Sequence, residues 1–396
     1  MATADSISQI SPSSPTPTAD LLVLASAMLP EQFEALLTNL AAVFPVEGLL
    51  IASESPLPNH VAQGLRVIAA PPATAGWSLT APDFVNAYTL GLERQARAVL
   101  MLGPGAESLG AGGLRLLANA VLAGGVDLAV PRYSLPPHTA MFNSAVLYPL
   151  TRALFATRTR FPLASDLGLS MRMVQRLAAL GQRALPLDQG EPLLWPVAEA
   201  AVAGFTIDEF DVGPRALPQP AGGDINAILA QVTGSLFADI EAKAAYWQRA
   251  RRSPPARRGL HEEPLKDGST DVPRMVEAFK FAYNNLLEIW SLVLPPHSLL
   301  GLKRLSAMSA GEFRMPDSLW VRIVYDFLVA YRVRTINRGH LLGALIPLYL
   351  GWVAGHINLT ASGGSAESHI ETLAAAFEAD KPYVVARWRW PDRFNA

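Results

Sequence analysis

Ala98-Val-Leu-Met-Leu102 is an unbroken apolar run, and Gly103-Pro104-Gly105 stops it at once. A short apolar run closed by a Gly/Pro turn reads as a strand buried on both faces. The chain around it repeats the pattern. Ala81 to Arg94 has helical spacing; Gly113 to Ala123 has it too and ends at Gly124-Gly125, a helix stop. Val126-Asp-Leu-Ala-Val130 is the next strand. Upstream lie Leu21-Leu-Val-Leu-Ala25, a helix from Pro30 to Val43, and strands at Leu49-Leu-Ile-Ala52 and Leu65-Arg-Val-Ile-Ala69. Alternating helices and continuous apolar strands predict an α/β fold: a mixed, mostly parallel sheet with helices on both faces. Ligands on such sheets sit beyond the carboxyl ends of the strands. The turn at 103–105 is therefore a position where chemistry is expected.

From Asp224 onward the pattern is helical: Ile225 to Ala250, Val272 to Leu294, Ser318 to Asn337 and His340 to Asn358. Residues 254–268 are a polar, breaker-rich connection, and Ala361 to Ser365 a loop. The expected organisation is a disordered, Ser/Thr/Pro-rich leader over 1–19, an α/β domain over 20–222 and a helical C-terminal domain over 223–396. Half of the 396 residues are apolar and 17% are charged, which requires a large core or a sizeable apolar surface. The net charge of −2 gives no general attraction to nucleic acid. The absence of cysteine excludes disulfides, thiolate nucleophiles and Cys-ligated zinc. The first residues lack a basic segment and an apolar segment, so no secretory signal is read there and a cytoplasmic location is expected. Leu341 to Ile357 is the most membrane-like stretch, but it is short of the ~20 residues of a span. It reads as a buried helix, with contact at the inner-membrane surface as the alternative.

Three segments carry a resemblance: Arg132-Tyr133 through Ser170, Glu199 to Phe205 with Asp211-Val-Gly-Pro-Arg215, and Leu319 to Arg332 running into Leu345 to Trp352. In these the chain resembles GT-A-fold nucleotide-sugar glycosyltransferases of family-2 type, of the mannosylglycerate synthase and glucosyl-phosphoglycerate synthase kind. The resemblance implies a sugar-nucleotide donor and a divalent metal that stabilises the departing diphosphate. It also implies where the ligands belong. An Asp-x-Asp should follow the strand 98–102, where this chain has Gly103 and Gly105. A metal-binding His should stand where Leu217 stands. An acidic turn should precede the Ala-rich helix 197–203, where Leu194-Trp195-Pro196 is found. A Gly-Lys-Gly donor loop has no counterpart in Trp77 to Asn86. Four parts of the donor side are thus missing together, so no metal cofactor is expected. Glu107 reads as a solvated or helix-start charge, and Glu199 as an exposed first-turn charge.

What persists is the acceptor side. Asp166 stands where the resemblance implies a Gly-Gly-Asp or Gly-Gly-Glu carboxylate, with Ala164-Ser165 in place of the glycines. It is either a sugar-binding or catalytic carboxylate, or the N-cap of a helix over Leu167–Leu180. Arg152, Arg158 and Arg160 are either a site for a phosphate or carboxylate, or structural ion pairs. Arg132, Tyr133 and Asn143 are expected to line the same cleft. The arginines of Tyr331 to Arg338 read as cations at a helix C-terminus. The seven histidines show no shared metal spacing. Two functions follow: a degenerate glycosyltransferase that binds or regulates a partner such as an active paralogue, or a metal-independent glycosyltransferase whose arginines carry the leaving-group charge. In either case an anionic small molecule or sugar nucleotide is the expected ligand.

Overall fold

The computed structural model describes residues 19–25, 28–54, 64–71, 77–184, 192–217, 224–251 and 271–391. Residues 1–18 of the leader and the whole 254–268 connection lie outside these. Seven strands form one sheet: β1 (Leu21–Ala25), β2 (Leu49–Ser53), β3 (Arg66–Ala69), β4 (Ala98–Leu102), β5 (Leu128–Ser134), β6 (Leu167–Ser170) and β7 (Ile207–Pro214). Their order is β3-β2-β1-β4-β6-β5-β7. Strand β6 alone runs against its neighbours β4 and β5; the other pairs are parallel. The mixed, mostly parallel α/β sheet is as expected. Chain order reverses between β1 and β4, so the crevice of this sheet opens where β4 ends in Gly103.

Helices α1 (Pro30–Ala41) and α3 (Ala111–Leu122) cover one face, and α2 (Ala81–Glu93), α5 (Met171–Ala184) and α6 (Pro196–Ala203) the other. Every residue of β2 and β4 is buried, which is why these strands read as continuous apolar runs. Helix α2 starts with a capping box: the Thr80 backbone N–H and hydroxyl both donate to Asp83 Oδ2, at 2.7 and 2.8 Å.

A second core is helical. It is built by α7 (Ile225–Ala242), α8 (Ala244–Trp247), α9 (Val272–Val293), α10 (Pro296–Ser306), α11 (Asp317–Val333), α12 (Arg338–Ala361) and α13 (Ala366–Arg389). Helix α4 (Tyr148–Phe155) and the turn before it, although they follow β5, belong to this core. Trp247, Trp290, Trp320 and Trp352 are fully buried in it. Trp320 Nε1 donates to the Ala145 carbonyl at 2.9 Å, tying α11 to that turn. The high apolar content is thus used inside the molecule. Helix α12 is long and apolar enough to cross a membrane, but its most apolar window is 72% buried by neighbouring helices.

Four expectations are corrected. Leu167–Ser170 is a strand, and the helix begins only at Met171. Pairing with β4 and β5 overrides the local helical spacing, and Asp166 therefore precedes a strand and caps no helix. The helix expected over 225–250 breaks at Lys243 into α7 and α8. Helix α13 was not among the expected elements; its buried face is shared between apolar and charged residues, which weakens the apolar period. Glu199 is buried: it accepts from Arg176 Nε at 2.6 Å and lies 3.2 Å from Lys243 Nζ.

Candidate functional site

Strand ends bring Gly103, Asp166 and Arg215 together. β4 delivers the turn 103–105, the segment leading into antiparallel β6 delivers Asp166, and β7 ends next to Arg215. The Asp166 and Arg215 side chains are both 0% exposed. Asp166 Oδ2 accepts from Arg215 Nε and from the Tyr133 hydroxyl, each at 2.7 Å. Its Oδ1 accepts from the Gly103 backbone N–H and from Arg215 Nη2, each at 3.1 Å. Burial, and then the Asp166 charge, push the Tyr133 phenol well above its ordinary range, so it stays a donor. Burial opposes the Arg215 charge, but Asp166 outweighs it and raises the guanidinium above the usual arginine value.

The turn is shaped to this pair. Arg215 Nη2 donates to the Pro104 carbonyl at 2.9 Å and reaches the Gly103 carbonyl at 3.4 Å; Nη1 donates to the Ala216 carbonyl at 2.7 Å. Ser108 Oγ accepts from the Ala216 N–H at 2.9 Å and donates to the Gly105 carbonyl at 2.6 Å. Gly105 sits at φ +86, where a side chain is strained, and a Cβ there would lie 2.3 Å from Arg215 Nη1. A Cβ on Gly103 would lie 2.4 Å from the Ser165 Cβ. With Ser165 in place, a side chain at 103 has no room.

These residues do not fit a divalent metal. Such an ion needs several oxygen or imidazole donors. Gly103 and Gly105 have no side chain, Leu217 is a hydrocarbon, and both Asp166 oxygens are already bonded. Glu107 lies in a short turn (Ala106–Ser108), where its Oε1 accepts from Gln32 Nε2 at 2.8 Å. Trp195, at the place of the acidic turn, is buried and donates from Nε1 to Ser235 Oγ at 3.1 Å, anchoring α6 to α7. Among the described residues no group of three or more His, Asp or Glu has the arrangement to hold a metal.

The arginines at 132, 152 and 160 meet carboxylates of α13. Arg152, buried on α4, donates to Glu371 at 2.7 Å and Glu378 at 2.9 Å. The Tyr148 hydroxyl donates to Glu371 at 2.5 Å. Arg160 and Arg132 share Glu367, at 3.1 and 3.2 Å. Arg160 also donates to Ser144 Oγ, and its backbone N–H donates to Glu209 Oε1 at 2.5 Å. Burial raises the Glu209 carboxyl to about 7. Asn143 Nδ2 donates to the Arg160 carbonyl at 2.9 Å. Arg158 lies half-buried beside them; no ion pair to it is seen among the described residues, and its Nε and Arg160 Nη1 are buried without a partner there. Thus Tyr133 joins Asp166 on one side, while Arg132, Asn143, Arg152 and Arg160 gather against α13 on the other. Leu217 stands half-buried at the end of a described segment.

Sequence reasoning missed three features. Arg215 was legible only as part of the Gly213–Leu217 segment. The α13 carboxylates lie more than 200 positions from the arginines they meet. The third is a histidine cluster. His356 Nδ1 lies 2.6 Å from His369 Nδ1, His369 Nε2 lies 3.0 Å from Asp317 Oδ1, and His138 Nε2 lies 2.7 Å from Thr360 Oγ1. The His138 and His356 rings meet edge to face, and Trp352 stacks on His356 and His369.

No family model matches this chain, and no curated protein matches it. Similar solved structures include glucosyl-3-phosphoglycerate synthase from Mycobacterium tuberculosis with Mn2+ and UDP-glucose, at 14% identity and TM-score 0.37 over 56% of this chain and 79% of that one. The same synthase with Mn2+, UDP-glucose and phosphoglyceric acid gives 13% and 0.39 over 63% and 88%. A mycobacterial protein gives 13% and 0.39 over 64% and 80%.

Proposed function

We propose that this chain is a glycosyltransferase-like protein, GT-A-like in frame, that has given up metal-assisted transfer and works as a binding or regulatory partner. The observation that carries this reading is the state of Asp166. Asp166, at the crevice, has both oxygens committed to Arg215, Tyr133 and the Gly103 N–H, while positions 103, 105 and 217 offer no side-chain donor and Glu107 turns one oxygen to Gln32. A diphosphate leaving group would meet neither a metal nor an accessible cation here, since Arg215 is sealed from solvent. That observation counts against the metal-independent enzyme. The sheet order, with β6 reversed beside the crevice, supports the frame. An active glycosyltransferase paralogue is the partner class that fits a frame kept without its chemistry, and a cytoplasmic working place belongs to the same proposal.

The ligand of this reading is anionic. Arg158, half-buried and without an ion pair among the described residues, is the cation that α13 leaves over, and Arg160 stands beside it. The experiment is calorimetry with sugar nucleotides and with phosphorylated or carboxylated small molecules, with and without manganese, alongside a turnover assay. No transfer and no manganese-dependent binding are expected, and anion binding should weaken about tenfold or more in Arg158→Ala or Arg160→Ala. Manganese-dependent turnover of a sugar nucleotide would sink the proposal.

A further inference from the structure

We infer that Arg215 is a built-in cation seated in a cage of oxygens, and that its occupancy keeps other cations out of the crevice. The cage consists of both Asp166 oxygens and the carbonyls of Gly103, Pro104 and Ala216. All are oxygens, which is the donor set of a hard cation as much as of a guanidinium. They come from three separate chain segments at the ends of β4, β6 and β7. Three observations show that the cage is fitted to its occupant. The guanidinium is excluded from solvent together with its carboxylate. Gly105 takes a left-handed conformation that brings the turn to within 2.3 Å of Nη1, measured from where its Cβ would be. Ser108 then clips the 216 segment to that turn. A planar donor with N–H groups on several edges can satisfy separated carbonyls and a carboxylate at once, which a lysine ammonium does less well.

The inference holds whatever the frame does elsewhere, because it concerns what fills the crevice and not what the protein turns over. Arg215 neutralises Asp166 and bridges three segments from within the chain. Removing it leaves a buried carboxylate facing inward carbonyls, a site with an open place for a small cation.

The experiment is thermal unfolding of the full chain as parent, Arg215→Ala, Arg215→Met and Arg215→Lys, each with methylguanidinium, with methylurea as neutral control, and with manganese. Breaking a buried pair from one side is expected to lower the Tm of the Ala and Met variants by roughly 4–6 °C. Methylguanidinium should recover part of that loss in Arg215→Ala and leave the parent unmoved; methylurea should do neither. Manganese should bind Arg215→Ala with one-site stoichiometry, and the added substitution Asp166→Asn should abolish that binding. Arg215→Lys retains a charge and should unfold above Arg215→Met, which keeps the variant set informative if the neutral variants do not fold. Three results would overturn the inference: equal Tm values for Arg215→Lys and Arg215→Met, no recovery by either cation in a folded Arg215→Ala, or manganese binding by the parent that depends on Asp166.

Discussion

At the scale of single residues, Arg215 and the backbone around it leave no room for a side chain at position 105. A carboxylate at position 105 must adopt φ +86 and share space with Arg215 Nη1. Left-handed backbone costs a non-glycine residue roughly 1–2 kcal/mol, and overpacking a filled site adds about 1–3 kcal/mol. Gly105→Asp should therefore lose stability without gaining metal binding or turnover. Gly124→Asp is the control: Gly124 also has positive φ, but no atom lies within 4 Å of its would-be Cβ. Denaturant unfolding of both should show a loss larger by about 1–3 kcal/mol at 105. The excess should shrink only in part when Gly105→Asp is combined with Arg215→Ala, since the would-be Cβ lies 2.3 Å from Arg215 Nη1 and also 2.6 Å from the Ala216 carbonyl oxygen. Equal losses at 105 and 124 would mean that Arg215 does not fill the space. The sequence alone shows that positions 103 and 105 carry no carboxylate, because absence of a side chain can be read from a letter. It does not show that Arg215 takes over Asp166, because that contact joins two strand ends 49 positions apart.

At the scale of elements, α13 decides what the arginines at 132, 152 and 160 can do. Glu367, Glu371 and Glu378 lie along it and meet Arg132, Arg160 and Arg152. Arg152 is the strongest tie, because it is buried and holds two carboxylates at once. Removing one side of a buried pair leaves an uncompensated charge and costs about 3–5 kcal/mol. Arg152→Met should lose that much in urea unfolding. Arg158→Ala, with no ion pair among the described residues, should lose well under half of it, by about 0.5 kcal/mol if it behaves as a surface site. Comparable losses for both would show that α13 is not held by charge. The arginine cluster is visible in the sequence as letters close together. The acids that answer it are spread over a helix whose buried face mixes Phe377 with Glu378 and Lys381, so neither the helix nor the pairing follows from apolar period. The strands 98–102 and 21–25, by contrast, are legible because burial on both faces leaves an uninterrupted apolar run. Strand β6 is not, because four residues between two partners carry too little pattern of their own.

At the scale of the whole molecule, the histidine cluster joins the loop after β5 to three helices, and this coupling makes stability depend on pH. With His369 Nε2–H directed at Asp317, the other nitrogen of a neutral His369 accepts from His356 Nδ1–H. That leaves His356 Nε2 as a buried lone pair without a partner. His369, His138 and Arg160 face His356, and Asp317 lies on the far nitrogen of His369. Burial first, then His369, His138 and Arg160, depress His356 from 6.5 to about 3. The folded state therefore refuses a proton that the unfolded chain takes up, and stability is lost as pH falls from 6.5 toward 3. One such proton gives a slope of about 1.4 kcal/mol per pH unit, or about 2 kcal/mol between pH 6.5 and 5. Glu209, raised from 4.5 to about 7, works the other way: the folded state binds its proton first, and stability rises as pH falls through that window. The parent's total profile mixes these with other buried groups, such as Asp326, which burial raises to about 6, so the informative quantity is the difference between parent and His356→Gln. Urea unfolding from pH 7.5 to 5 should show the variant less stable at neutral pH and its disadvantage closing by roughly 2 kcal/mol toward pH 5. A constant difference across that range would show that His356 takes its proton in the folded protein as readily as in the unfolded one, and that the cluster does not link the sheet to the helices through charge.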